Sequence, residues 1–401
     1  MAIPRVRPGH YPAVLSYGFR PFFLVAALQG GLAILFWLPL FYGSLDTSSL
    51  FALVDWHVHE MLFGFLPAVM TGFLLTAIPN WTGRLPVQGS PLLALLLLWL
   101  AGRIAVFFSS ETGWVAAAVI DCAFLLMVVM VAAREIIAGR NWRNLKVLAP
   151  VTVLLAANML FHWEASQYGT TDLSRRLGLA AVLVLIMVIG GRIIPSFTHN
   201  WLVRENPGRL PQSFNRFDGM VILVSALALA AWTFLPFHAA TGVLLMMAAL
   251  LNAVRLARWA GARCWRDPLV LILHAAYAFL PLGFLLAGLA VLRPELVPTA
   301  AGLHAFGAGA VGTMTLAVMI RATLGHTGHA LKAGPAARMI FAAVILAALL
   351  RLAAVCVPSV EILMPLSGVV WSVAFLGFVL FFGGILLKPR RRVVSVSAPA
   401  A

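Results

Sequence analysis

The chain has 401 residues, of which 62% are hydrophobic and only 10% are charged. Soluble domains carry about 25% charged residues, so this composition excludes a water-soluble globular protein and indicates an integral membrane protein. The formal net charge of +15 is better explained by basic loops that orient membrane helices than by nucleic acid, and we expect no nucleic-acid partner.

Runs of about 20 apolar residues alternate with short charged or Gly/Pro-rich breaks along the whole chain. Such runs span a bilayer as α-helices and are too long for the strands of a β-barrel. No soluble domain interrupts them, so the pattern predicts an all-α, polytopic protein with a single transmembrane domain over residues 1–401. The twelve predicted helices cover residues 20–42, 56–78, 90–108, 114–133, 147–166, 176–200, 217–235, 239–260, 268–291, 299–321, 336–356 and 362–387.

With twelve spans, most loop arginines and lysines fall on one side of the membrane. The opposite side carries mainly Arg175, Arg176 and Arg293, together with several acidic residues. Because basic loops remain in the cytoplasm, this distribution predicts that both termini are cytoplasmic. The residues on the basic side are Arg5, Arg7, Arg20, Arg134, Arg140, Arg143, Lys146, Arg204, Arg209, Arg216, Arg255, Arg258, Arg263, Arg266, Lys332, Arg338, Lys388, Arg390, Arg391 and Arg392.

Two histidines and a glutamate, His57, His59 and Glu60, stand at the start of the second apolar run. Each ionisable side chain in hydrocarbon costs a few kcal/mol or more, so three within four positions require an explanation. Imidazole is a common ligand of haem iron and of copper, which makes a metal centre one interpretation. The alternative is a solvated helix start at the level of the lipid headgroups.

The predicted orientation divides the histidines between the two ends of the bundle. His57, His59, His162 and His304 fall at the outer end, and the inner end holds a second group. At 1.5 Å per residue the two groups lie roughly 15–20 Å apart along the membrane normal, so one mononuclear site cannot use both. The inner group is His199, His274, His326 and His329.

Within the outer group, His57 and His59 are about 200° apart on a helix and face different neighbours. We predict that His59 and His304 are the two axial ligands of a haem, since they lie at similar depth in different helices. His57 and His162 then remain for copper or as partners of haem propionates. The small residues after His304 also fit simple close packing of helices. Glu60 and Glu164 are the outer candidates for a proton path.

Helices 2 and 10 share a spacing pattern, because Gly64 follows His59 by the same five positions as Gly309 follows His304. The end of helix 6, around Pro195, also resembles the end of helix 2. These segments lie four helices apart, which suggests three four-helix units. Chance similarity among apolar runs is the alternative.

The inner end carries its own candidates. The Gly190-Gly191-Arg192-Ile193-Ile194-Pro195 segment predicts a break in helix 6, and a buried Arg192 would need an anion such as a haem propionate or a carboxylate. Arg321 and His326 fall on the same side. His274 lies six residues inside helix 9, where a metal-ligand role competes with that of a hydrogen-bonded core histidine. No CxxCH motif is present, so any haem would be non-covalent.

Several segments of the chain together carry a family resemblance. They are Arg20-Pro21-Phe22-Phe23, Trp56-His57-Val58-His59-Glu60-Met61-Leu62-Phe63-Gly64-Phe65, Gly72-Phe73-Leu74-Leu75-Thr76-Ala77-Ile78-Pro79-Asn80-Trp81-Thr82-Gly83, Ala157-Asn158-Met159-Leu160-Phe161-His162, Gly190-Gly191-Arg192-Ile193-Ile194-Pro195-Ser196-Phe197-Thr198, and Gly312-Thr313-Met314-Thr315-Leu316-Ala317-Val318-Met319 with Arg321 and Gly325-His326-Thr327-Gly328. At these segments the chain resembles the NnrS family of bacterial haem- and copper-containing membrane proteins linked to the nitric oxide response. The resemblance covers nearly the whole chain, and its run from His304 to Gly328 is quite specific.

The resemblance implies a bacterial inner-membrane protein in contact with lipid, a b-type haem, copper, and a role in nitrosative-stress tolerance or denitrification. One expectation is an enzyme that reduces nitric oxide with electrons from a quinol or a cytochrome. A second is a non-catalytic haem, copper or nitric-oxide-binding protein. A third is a transporter, suggested by the predicted break in helix 6 and by the possible repeats. Three four-helix units would also be reminiscent of haem-copper oxidases, at the level of the fold alone.

Overall fold

A computed structural model of the chain describes residues 10–391. Over this range it is helical, without a strand, and twelve helices are long and apolar enough to cross a membrane. The predicted all-α class and the number of spans are therefore confirmed. Arg5, Arg7 and Arg392, which entered the orientation argument, lie outside the described residues. We label the spans α1 (Phe19–Phe41), α2 (Leu53–Thr82), α3 (Ser90–Phe107), α4 (Trp114–Ala138), α5 (Trp142–Tyr168), α6 (Asp172–Glu205), α7 (Arg216–Phe234), α8 (Ala239–Ala257), α9 (Pro268–Leu292), α10 (Thr299–His326), α11 (Pro335–Cys356) and α12 (Leu363–Leu387).

The sixth helix corrects one prediction. It is a single α-helix of 34 residues that continues through Pro195, so it is not broken. Proline removes one intrahelical hydrogen bond, which a long helix packed among neighbours tolerates. Gly191 serves close packing instead, because a Cβ atom there would overlap the guanidinium group of Arg255 on α8.

Two arginines that sequence analysis assigned to the basic side are in fact buried. Arg255 is 0% exposed, and its Nε donates to Asp218 on α7 at 2.9 Å. Its Nη1 donates to the hydroxyl of Tyr277 on α9 at 2.8 Å, so this arginine ties three helices together. A buried arginine needs such partners, since an unpaired charge is costly in the membrane.

The second buried arginine, Arg20, joins the first helix to the last. Its Nη1 donates to the carbonyl oxygens of Leu386 at 2.7 Å and Lys388 at 2.6 Å. The last carbonyls of a helix have no intrahelical donor, so Arg20 caps the end of α12. Further along the same interface, the indole of Trp371 donates to the carbonyl of Gly30 at 2.8 Å. The two ends of the chain therefore close one side of the bundle.

Helices α2 and α10 each contain a π-helical segment, Glu60–Phe65 and Ala305–Gly312. Each segment starts directly after the histidine that the spacing pattern had matched, His59 or His304. In the most apolar 18-residue stretch of each helix, 83% of the residues of α2 and 72% of those of α10 are buried inside the protein. These are the two largest buried shares among the twelve spans, so both helices lie centrally. π-helical segments are rare and are frequent at functional sites. The described part of α6 contains no such segment, and the three four-helix units stay a prediction.

Candidate metal centre

Three potential metal ligands from three helices meet near one end of the bundle: His59 on α2, Asp121 on α4 and His162 on α5. Their exposed fractions are 0%, 3% and 2%, so water does not reach them. One ligand atom from each residue lies within 4.8 Å of the other two. Among residues 10–391, no other three His, Cys, Asp or Glu side chains converge in this way.

The ligand atoms point at one another. His59 Nε2 and His162 Nε2 each lie 3.2 Å from Asp121 Oδ2, and the two imidazole rings have their centroids 5.1 Å apart. Asn158, one turn before His162, donates to Asp121 Oδ2 at 2.7 Å, and its own amide oxygen lies 3.1 Å from His59 Nε2. Two imidazole nitrogens and a carboxylate oxygen form a donor set for a transition-metal ion.

A second layer of charged and polar side chains orients these ligands. Glu60 Oε1 lies 3.4 Å from His59 Nδ1, which leaves Nε2 directed at the centre. Arg103 on α3 donates to Glu60 Oε1 at 2.7 Å and also to Asp121, so it bridges the two carboxylates. Gln29 on α1 donates to the other oxygen of Glu60. Metal-bound histidines commonly carry such a carboxylate behind them.

The charges of this cluster favour a cation. Glu60 and Asp121 supply two negative charges and Arg103 one positive charge, so with neutral histidines the cluster is left with one negative charge. Aromatic rings enclose it, since Phe51, Phe63 and others surround His59. A buried net charge is expensive unless it is compensated. A bound cation would compensate it, and so would a proton on one histidine.

The remaining outer histidines form a separate pair, which corrects the predicted pairing. His57 and His304 are close enough to interact electrostatically with each other and with Arg351 on α11. His57 also stacks on Trp37 with centroids 4.5 Å apart. We had paired His59 with His304 and His57 with His162. His59 instead lies next to His162 on α5, and His57 lies near His304 on α10, because each face of α2 contacts a different helix from the one we expected.

His304 is oriented by its own helix. Its Nδ1 lies 2.8 Å from the carbonyl oxygen of Ala300, an atom that can only accept, so Nδ1 carries the proton. Nε2 is therefore the nitrogen available for a ligand. The guanidinium of Arg351 lies 5.8 Å from the centroid of the Trp37 ring, next to His57.

At the other end of the bundle, a cavity of about 560 Å³ is lined by Arg192, Arg321 and His326, among others. The structure thus brings these three predicted site residues together, away from the outer centre. Arg192 is exposed rather than buried, and its hydrogen-bond partner is Asn144 Oδ1, 3.5 Å from Nη1, so its pairing with an anion stays a prediction. His274 lies outside this lining and hydrogen-bonds through Nε2 to the Thr198 hydroxyl at 2.8 Å. This contact favours the core-histidine alternative.

The family model described as NnrS protein matches residues 13–390. The chain belongs to the NnrS family. The match spans nearly all of the chain, so the resemblance predicted from its motifs is confirmed at the level of the family. No curated protein shows significant similarity to the chain.

In this NnrS-family chain, Glu164 hydrogen-bonds to the start of α6. Its carboxylate accepts from the backbone N–H groups of Leu173 at 3.1 Å and Ser174 at 2.8 Å, and from the Ser174 hydroxyl. These groups belong to the first turn of α6, whose N–H groups lack intrahelical partners. Glu164 therefore caps α6, whereas Glu60 belongs to the metal centre.

Two central residues, Asp121 and Arg103, were missed from the sequence. Sequence analysis followed the histidines, yet each of these residues is a lone charge well inside an apolar run. An ionisable residue inside a membrane helix is by itself a sign of a functional site. Applied to every helix, that rule would have found both.

The loop after α10 holds His329, which sequence analysis placed on the basic inner side. The hydroxyl of Thr327 lies 2.7 Å from His329 Nδ1. Partial burial, together with the nearby Arg391 guanidinium, lowers the pKa of His329 below its usual range. His329 is therefore neutral at pH 7 and adds no charge to the loop.

Proposed function

We propose that this protein is a metal-binding membrane protein of the nitric oxide response, with a redox-active ion held by His59, Asp121 and His162. The convergence of three buried ligand side chains from three helices carries the proposal. Charged groups are rarely retained in a membrane interior without a functional reason. Membership of the NnrS family supports the connection with nitric oxide.

Copper fits this donor set, and so does iron, since both bind imidazole and carboxylate ligands. Three protein ligands leave at least one coordination position open, which a small molecule such as nitric oxide can occupy. A bound ion would supply ligand binding and one-electron transfer. The chain's own residues exclude water with Phe51 and Phe161, fix His59 through Glu60, and hold Asp121 in place through Arg103 and Asn158.

A non-covalent b-type haem would take one imidazole from each of two helices, and His57 and His304 are the candidates because they lie near each other on α2 and α10. Arg351 beside them provides a positive charge for an anionic propionate. A haem held by both histidines would leave no position for nitric oxide, which favours the His59–Asp121–His162 centre as the site that binds the gas. His57 and His59 thereby serve two sites from opposite faces of α2.

In the catalytic form of this proposal, two nitric oxide molecules, two electrons and two protons give nitrous oxide and water. A quinol or a cytochrome supplies the electrons, and Glu60 is the carboxylate placed to take part in proton transfer. In the non-catalytic form the protein binds nitric oxide or the metal only. Both forms place the protein in the bacterial inner membrane with cytoplasmic termini. The transporter alternative loses one of its two arguments, because α6 is continuous, and keeps the possible repeats.

Metal analysis of the detergent-purified protein tests the centre. After expression with copper and iron supplied, we expect about one ion per wild-type chain in addition to any haem iron, and at least a ~10-fold loss of affinity for that ion in Asp121→Asn and His162→Ala. His199→Ala changes an exposed histidine of α6 and should keep the full metal content. A folded wild-type protein without metal would identify the cluster as a hydrogen-bonded network that holds a proton.

Optical spectra of the same variants separate the two sites. We expect His304→Ala to lose the haem spectrum and keep the other ion, and Asp121→Asn to show the reverse. Loss of both cofactors in each variant would contradict two independent sites. Spectra of the reduced wild-type protein with and without nitric oxide then show which site binds the gas.

A further inference from the structure

The cavity at the end opposite the metal centre is bounded by the late turns of α2 and α10 and the middle of α6. Its walls are largely apolar and aromatic and include Phe73, Trp81 and Phe197. At 1.5 Å per residue, Val318 lies roughly 12 Å before the end of α10, so the cavity extends well into the membrane-spanning part of the bundle. A cavity of this size holds a drug-sized molecule.

Arg321 gives this cavity a charge that the protein does not neutralise. Its guanidinium lies 3.9 Å from the centroid of the Phe197 ring. Among residues 10–391 it makes no hydrogen bond and has no carboxylate within 4.0 Å, and Asp267 acts on it only through longer-range electrostatics. Arg20 and Arg255, the buried arginines described above, are both paired. An unpaired arginine within a membrane helix points to a partner from outside the chain.

Arg192 adds a second positive charge to the same cavity. It is exposed, and its one hydrogen-bond partner among the described residues is the neutral Asn144. Arg321 is half-buried and lies on α10, across the cavity from α6. The cavity is therefore lined by two guanidinium groups that can pair with an anion, and its aromatic walls offer surface to an apolar body.

We propose that this cavity binds a compact amphipathic anion, whose carboxylate or phosphate pairs with Arg321 and Arg192 and whose apolar body lies against the aromatic walls. A single-chain acidic lipid has this chemistry, since it joins one carboxylate or phosphate to a slender apolar chain. The proposal does not depend on the metal centre, which lies at the other end of the bundle.

Fluorescence titration of the detergent-purified protein tests this site. The probe is parinaric acid, a fluorescent fatty acid, compared with its methyl ester. We expect the acid to bind ~10-fold more tightly than the ester, because only the acid pairs with arginine. Arg321→Gln should abolish that preference, Arg192→Gln should reduce it, and Arg134→Gln, which changes an exposed arginine of α4 outside the cavity lining, should leave it unchanged.

Arg321→Lys keeps the charge and should keep part of the preference, so the result does not depend on one variant. Equal binding of the acid and its ester, or an acid preference that survives in both Arg→Gln variants, overturns the proposal. Metal content measured on the same samples reports separately on the outer centre.

Discussion

The π-helical segments of α2 and α10 share a backbone conformation and differ in the side chains that pack against them. Each follows a histidine, and each contains the matched glycine, Gly64 or Gly309. A Cβ atom on Gly64 would overlap the guanidinium of Arg103, whereas a Cβ atom on Gly309 would overlap the ring of Phe279. Because Gly64 has no side chain, the charged guanidinium of Arg103 can approach the backbone of α2. Because Gly309 has none, the apolar ring of Phe279 can approach the backbone of α10.

This difference shows what a repeated spacing specifies. The histidine and glycine at matched positions go with the same widened backbone in both helices. The neighbouring helix then decides the chemistry, since α3 brings Arg103 to one segment and α9 brings Phe279 to the other. A sequence repeat therefore predicts local geometry better than it predicts a site.

The largest expected effect comes from removing Arg103, the charged neighbour that contacts the π-helical segment of α2 and, among the described residues, has no counterpart at α10. Arg103→Leu leaves Glu60 and Asp121 as buried, uncompensated carboxylates, and we expect a loss of about 3–5 kcal/mol in unfolding free energy. Unfolding in detergent measures this loss. Arg84→Leu breaks the more exposed ion pair with Glu135 and should cost about 1 kcal/mol or less. Equal losses in the two variants would show that the buried network does not stabilise α2.

Alanine at the two matched glycines sharpens the comparison. We expect Gly64→Ala and Gly309→Ala each to cost about 1–3 kcal/mol through overpacking. Gly64→Ala should also release the metal, because it displaces Arg103. Phe279→Leu should restore stability to Gly309→Ala by making room, and should not restore it to Gly64→Ala. Rescue of both variants by Phe279→Leu would contradict the assignment of separate neighbours.

A smaller effect is expected from Glu60→Gln, which keeps the shape of the α2 segment. The neutral amide orients His59 less strongly than the carboxylate, so metal affinity should fall ~10-fold while the protein stays folded. Competition with a chelator measures the affinity. Ala305, the residue at the matched position of α10, provides the control, since Ala305→Ser should not alter metal affinity. An unchanged affinity in Glu60→Gln would remove Glu60 from the centre.

The smallest effect should come from Glu164→Gln, which lies near the same end of the bundle and outside both segments. It weakens the cap of α6, and we expect a loss of about 1 kcal/mol in unfolding free energy. Metal content should not change. A loss of metal in this variant would return Glu164 to the functional site.

The helices and the two histidine groups could be predicted from the sequence, because both follow from the length and spacing of apolar runs. The opposite faces of His57 and His59 also follow from the helical period. The partners of each face could not be predicted, since periodicity does not tell which helix lies alongside. That is why His59 was assigned to His304 when its partners are Asp121 and His162.

The errors at α6 have a related cause. Local rules treated Gly191 and Pro195 as breaks, yet the space that Gly191 leaves is filled by Arg255 from another helix. Arg255 itself was assigned to a loop from its position near a run boundary, but Asp218 and Tyr277 hold it inside. In each case a contact distant in sequence overrode the local pattern.

The contact between Arg20 and the end of α12 has a consequence for biogenesis. The carbonyl acceptors of Arg20 belong to Leu386 and Lys388, more than 360 positions downstream, so they are synthesised long after α1. Until then α1 carries an arginine whose acceptors do not yet exist. The contact between α1 and α12 can therefore form only after α12 is inserted, which makes it a late step in the assembly of the bundle.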